Sequence, residues 1–173
     1  MNRTLVLSLV LAGTLSGCGG SSNDSAQLGT QPSASATTGG SGTCTPSGSG
    51  TTDLKTKPVY TVPKAPAPTE TTVTDIVCGT GPAAKAGSQV VAKYVGVNYL
   101  TGEEFDSSWK RGVNETFPFT VGEGVIPGFS IGATGMQAGG RRLVVIPPKD
   151  GYGDSGPVPG GTLAFIIDLV SVS

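Results

Sequence analysis

From Thr69 onward the chain alternates apolar and polar residues in short runs broken by glycine and proline, a pattern of strands rather than of long helices. It predicts strands over 72–77, 89–99, 117–121, 141–146 and 162–172. In the second, Tyr94 falls on the face opposite Lys93 and Val95, because successive strand side chains point to opposite sides. The last alternates most regularly, with Leu163, Phe165, Ile167 and Leu169 on one face and Thr162, Ala164, Ile166 and Asp168 on the other. That reads as an antiparallel strand buried on one face only. Arg141-Arg142, opening the fourth strand, reads as a solvated strand end. One segment has a helical period instead: Pro127 suits the first turn, and Phe129, Ala133 and Met136 follow at i, i+4 and i+7. Gly132 and Gly135 make this helix weak by propensity, so it must be held by packing. The prediction is an α+β domain over 69–173, an antiparallel β-sheet wrapped around one short α-helix.

Upstream the pattern is different. Met1-Asn2-Arg3, an apolar run from Leu5 to Leu15 and then Ser16-Gly17-Cys18 have the layout of an export signal, too short to span a bilayer as a helix. The small residues before Cys18 resemble a bacterial lipoprotein signal over residues 1–17, which implies a lipidated Cys18, palmitate among its acyl chains, and an exported protein anchored at the cell envelope. Residues 18–57 are dominated by Ser, Thr and Gly and are expected to form a flexible tether. Residues 58–68 carry four prolines and are expected to run extended, as an outer edge strand of the domain.

Composition narrows the chemistry. There is no histidine, which removes imidazole bases, Ser-His-Asp triads and His-ligated zinc, and no ligand cluster or phosphate-binding loop suggests a metal or organic cofactor. A formal charge of −1 over the chain, and seven basic against ten acidic residues from Glu70 to Ser173, argue against nucleic acid as a partner. Membrane contact is expected only through the anchor, and the protein is expected to be a monomer. Besides Cys18 there are two cysteines, Cys44 and Cys78. They either form a disulfide, stapling the tether to the domain, or remain as a free thiol and a small buried side chain.

Four fragments follow one another in order: Val91-Ala92-Lys93-Tyr94-Val95-Gly96, Glu104-Phe105-Asp106-Ser107-Ser108, Val125-Ile126-Pro127-Gly128-Phe129, and Ile146-Pro147-Pro148 with Gly151-Tyr152-Gly153. With Gly139-Gly140-Arg141-Arg142 and Thr162-Leu163-Ala164-Phe165, the stretch from Thr69 to Ser173 strongly resembles the FKBP family of peptidyl-prolyl cis-trans isomerases. The resemblance implies a hydrophobic pocket between helix and sheet that receives a proline ring. Tyr94, Phe105, Phe117, Val125, Ile126, Phe129, Tyr152, Val158 and Phe165 would line or border it, Asp106 would be its carboxylate and Arg111 the partner of that carboxylate. Tyr94, Phe105, Asp106, Ile126, Tyr152 and Phe165 would carry catalysis, with the Ile126 N–H and the Tyr152 phenol donating to substrate carbonyls. Phe129 stands where many members have Trp, and the segment from Asp154 to Gly161 is shorter than the family's usual flap. Trp109 is expected near the pocket rim. Proline-containing polypeptides are the implied substrates, and macrolide immunosuppressants the implied ligands.

The absence of imidazole suits this chemistry. An X-Pro bond turns over tens to hundreds of seconds because twisting breaks amide resonance, against a barrier of about 18–20 kcal/mol, and no proton has to move. A hundred-thousandfold acceleration asks for about 7 kcal/mol. Two other readings compete: a same-fold module that binds or chaperones proline-containing segments with little turnover, and an immunoglobulin-like sandwich on a tether. The second leaves the helix at Pro127 unexplained.

Overall fold

The computed structural model describes residues 44–48, 50, 52–158 and 161–173. Residues 1–17, read from sequence as a signal, and Cys18 lie outside the described residues. Six strands make one antiparallel sheet: β1 (Thr72–Val77), β2 (Gln89–Asn98), β3 (Glu104–Ser107), β4 (Phe117–Thr120), β5 (Arg141–Ile146) and β6 (Leu163–Val172). Their order is β1-β5-β6-β2-β3, and β4 pairs the first half of β2 while β3 pairs the second half. The helix α1 (Pro127–Ala133) lies across the concave face. It ends before Met136, which is buried in the turn beyond it: Thr134 already leaves the helical region, at ψ 130°, and Gly135 completes the turn with a φ of +77°.

α1 is held by what its glycines lack. A Cβ on Gly128 would stand 2.3 Å from Ile146 Cγ2, and one on Gly132 would stand 2.5 Å from Val144 Cγ2. The backbone therefore rests directly on the β5 side chains, and Phe129 and Ala133 bury completely beside it. The propensity lost at these glycines, about 1 kcal/mol each, is offset by that burial, at about 25 cal/mol per Å² of apolar surface.

The arginines at the start of β5 are not solvated, contrary to the reading from sequence. Arg141 is 0% and Arg142 7% exposed. Arg141 grips Asp168 of β6 with two bonds, Nε to Oδ1 and Nη2 to Oδ2, and donates to the Thr56 carbonyl at 3.0 Å. Arg142 points to the other face, where it bonds Asp75 of β1 and donates to the Gly132 and Thr134 carbonyls at the C-terminal end of α1, 3.0 Å each. A guanidinium suits both places, since its flat fork matches a carboxylate and its charge complements the carbonyl end of a helix. Burial pushes the Asp168 carboxyl above its usual range, with Arg141 pulling the other way.

β6 is buried on both faces, against the expectation of a half-wet strand: Ala164, Ile166 and Asp168 are covered like Phe165 and Ile167. Part of the cover is the Pro-rich segment. Residues 58–68 form no edge strand, because proline has no N–H to give a ladder. Instead they cross the convex face, where Tyr60 and Ala67 pack with Val95, Val97, Tyr99, Val145 and Ala164. The Tyr60 hydroxyl donates to the Tyr99 carbonyl at 3.0 Å. Trp109 belongs to this convex cluster too, with the Lys93 ammonium 4.5 Å above its ring, and so lies away from the pocket rim.

The described part of the expected tether is also seated on the domain. Cys44 and Cys78 form a disulfide, the Ser47 and Gly48 N–H groups donate to the Asp75 carbonyl at 2.9 Å, and Lys57 pairs with Glu104 at 2.8 Å. In the chain-entropy account, closing a loop of this sequence separation, 34, contributes about 3–4 kcal/mol.

The Arg141–Asp168 pair gives a sharp prediction. Asp168→Asn leaves a buried guanidinium without its anion and should lower unfolding stability by about 3–5 kcal/mol. Urea denaturation measures this, and a loss under 1 kcal/mol would contradict the pairing.

Candidate active site

The chain has five phenylalanines, and all of them join one network on the concave face together with Tyr94. Phe129 from α1 is the hub: its ring meets Phe165 of β6 and Phe119 of β4 at 5.2 Å, Tyr94 of β2 at 5.9 Å and Phe117 of β4 at 6.1 Å, edge to face in each case. This is the arrangement the ring quadrupoles favour. Phe105 of β3 meets the Phe165 ring edge-on at 5.5 Å. That contact is possible because residue 96 of β2 is glycine; a Cβ there would stand 2.7 Å from Phe165 and 2.8 Å from Phe105.

These rings wall a hollow of about 530 Å³ whose lining is Tyr94, Asp106, Phe117, Gly124, Val125, Ile126, Phe129, Tyr152 and Phe165. Val125 and Ile126 form the lip just before α1, and Tyr152 stands opposite, after β5. The remaining residues singled out from sequence lie just off this wall. Phe105 packs behind Phe165, Arg111 lies over the Tyr94 ring at 5.9 Å, and Val158 packs against the core. Sequence reasoning missed Gly124 and Phe119. Phe119 follows Phe117 by two on the same strand, a spacing that places both rings on one face and could have found it. Gly124 has a φ of +71°, which its glycine identity could have signalled.

The polar side-chain groups on the wall are few and specific. The Tyr94 hydroxyl donates to Asp106 Oδ2 at 2.5 Å, and the Ser107 N–H donates to Asp106 Oδ1 at 2.7 Å. Arg111 reaches Asp106 Oδ1 at 3.6 Å, both side chains being about half exposed, so the ion pair contributes little beyond orientation. Burial first, and then the bond to Asp106, pushes the Tyr94 phenol above its usual range. Burial, with the nearby Asp106 charge, does the same for Tyr152, a residue 45% exposed. The Ile126 N–H has no partner among the described residues, because Ile126 is the N-cap of α1 and its N–H has no intrahelical carbonyl to reach.

The hollow is apolar, with two phenols, one open N–H and one carboxylate, Asp106, already engaged by the Tyr94 hydroxyl and the Ser107 N–H. It can desolvate a bound peptide bond and hold its carbonyl. Comparison with known proteins points the same way. The family model for FKBP-type peptidyl-prolyl cis-trans isomerase matches residues 81–170. A "Probable FK506-binding protein" of Corynebacterium glutamicum is 48% identical over 118 residues, covering 66% of this chain and 98% of the relative. An "FK506-binding protein" of Streptomyces anulatus is 45% identical over 121 residues, 67% of this chain and 97% of the relative. Among solved structures, AtFKBP13 superposes with a TM-score of 0.54 at 33% identity, covering 62% of this chain and 96% of that one.

The fold and the site thus define a rotamase, an enzyme that turns peptide bonds without making or breaking them. The chain belongs to the FKBP-type peptidyl-prolyl cis-trans isomerase family.

Because both phenols titrate above their usual range, neither ionises near neutrality. The rate of X-Pro isomerisation should therefore be flat between about pH 6 and 9. A sigmoidal loss within that window would show that an ionisation controls the site.

Proposed function

We propose that the hollow lined by Phe117, Phe129 and Phe165 binds the proline ring of an exported polypeptide and accelerates rotation of the preceding bond. The observation that carries this reading is one cavity walled by Phe117, Phe129 and Phe165, with Phe105 and Phe119 packed onto those rings, whose available donors toward a carbonyl are the Tyr152 phenol and the Ile126 N–H. The planar amide is more charge-separated than the twisted one, so exchanging water for aromatic walls raises the ground state relative to the transition state. The Ile126 N–H anchors a substrate carbonyl at the lip. The Tyr152 phenol, kept protonated, donates to the rotating carbonyl and holds it in its twisted position. Tyr94 and Arg111 orient Asp106, whose charge borders the twisting amide.

The same cavity is proposed to accept FK506-like macrolides, as the names of the two bacterial relatives state for those proteins. Export and anchoring through Cys18 are part of the proposal. The Cys44–Cys78 disulfide supports an oxidising compartment, where such bonds persist.

Tyr152→Phe and Asp106→Ala should each lower kcat/KM on a proline tetrapeptide roughly tenfold to a hundredfold, one or two positioned hydrogen bonds being at stake. Unchanged rates in both would remove these residues from the site. Firm binding of a proline peptide by the unmodified protein with no acceleration would instead make it a holding module. For the anchor, metabolic labelling with a radioactive fatty acid should mark the full chain, and Cys18→Ser should abolish the mark; equal labelling of both would refute lipidation at Cys18.

A further inference from the structure

We propose that Ser108 is the positioning residue that sets the Tyr94–Asp106 pair. β2 changes partner along one edge: it pairs β4 as far as Ala92↔Phe117 and resumes with β3 at Val95↔Ser107. Tyr94 lies in the gap between the two ladders, and on that edge no strand answers its backbone. The Ser108 side chain does so. The Tyr94 N–H donates to Ser108 Oγ at 3.1 Å, and the Ser108 hydroxyl turns back toward the Tyr94 carbonyl at 3.4 Å. Ser108 is fully buried, at 0% exposure, so water cannot take over either bond.

This makes a closed circuit. Asp106, Ser107 and Ser108 are consecutive; Ser108 fixes the Tyr94 backbone, and the Tyr94 hydroxyl returns to Asp106. Beside the β2–β3 pairing Gly96↔Asp106, the Ser108 hydroxyl is the side-chain tie that fixes the Tyr94 backbone to the segment carrying the carboxylate. The position calls for a hydroxyl, which can accept from the N–H and donate to the carbonyl from a single atom, as alanine and glycine cannot. The neighbouring Ser107 is equally buried but serves elsewhere, its hydroxyl accepting from the Trp109 N–H at 3.0 Å at the start of the 3-10 turn Ser108–Lys110.

The inference rests on the proposed role of the Tyr94–Asp106 pair, and the test separates the two. In the full chain, Ser108→Ala should lower kcat/KM by roughly tenfold to a hundredfold, as expected for a site group displaced by about 1 Å. The loss should fall on kcat rather than KM. It should vanish in a Tyr94→Phe background, where the hydroxyl being positioned is already gone. Asp168→Asn, the control on the other face of the sheet, should lower the melting temperature without that kcat loss. The 13C shift of the Tyr94 ring carbon bearing the hydroxyl should move in Ser108→Ala and stay in Asp168→Asn. Should Ser108→Ala not fold, Ser108→Cys, which keeps a weak donor and acceptor, takes its place with partial loss expected. If Tyr94→Phe and Asp106→Ala slow the enzyme while the Ser108 variants keep full kcat or an unmoved Tyr94 resonance, positioning by Ser108 is wrong. If Tyr94→Phe and Asp106→Ala themselves leave the rate unchanged, the pair's role is wrong and this inference falls with it.

Discussion

The closeness of α1 to β5 is the constraint on which the rest of this molecule depends. Two missing side chains, at Gly128 and Gly132, let the helix backbone lie on Val144 and Ile146, and Arg142 secures its far end through the Gly132 and Thr134 carbonyls. With the helix that close, Phe129 reaches across the concave face to Phe165, Phe119 and Tyr94. A bulkier residue at either glycine would lift the hub of the aromatic network, and the hollow would change shape before the sheet did.

The two faces of the sheet divide the work. The concave face carries the aromatic network and a small set of hydrogen-bonding groups, among them two phenols whose burial keeps them protonated near neutrality. The convex face carries stability: a buried Arg141–Asp168 pair, the Lys93–Trp109 contact, and a proline-rich strap seated by Tyr60 and Ala67. β6 serves both faces at once, Phe165 on one side and Asp168 on the other, which is why alternation along it does not mean exposure of half its residues.

What was legible in the sequence was whatever local pattern determines. The strands with regular alternation and the helix opening at Pro127 follow from period and turn chemistry. The hollow was legible through its phenylalanines, scarce enough in this chain that their gathering is informative. β3 was hidden because Glu104-Phe105-Asp106-Ser107 is short and charged, and it becomes a strand only by pairing with β2. Arg141 and Arg142 looked solvated because their partners Asp168 and Asp75 lie 27 and 67 residues away along the chain. The strap was mistaken for an edge strand because an extended conformation can be read from prolines, whereas the surface it lies on cannot.

The Cys44–Cys78 link also decides how the domain carries a mechanical load. Tension arriving from the chain before Cys44 passes through the sulfur bridge straight to the end of β1. The covalent shortcut leaves the strap, with its proline bonds and its contacts on the convex face, slack under pull. A pull on the chain ahead of Cys44 is thus not felt by the layer that covers the back of the domain.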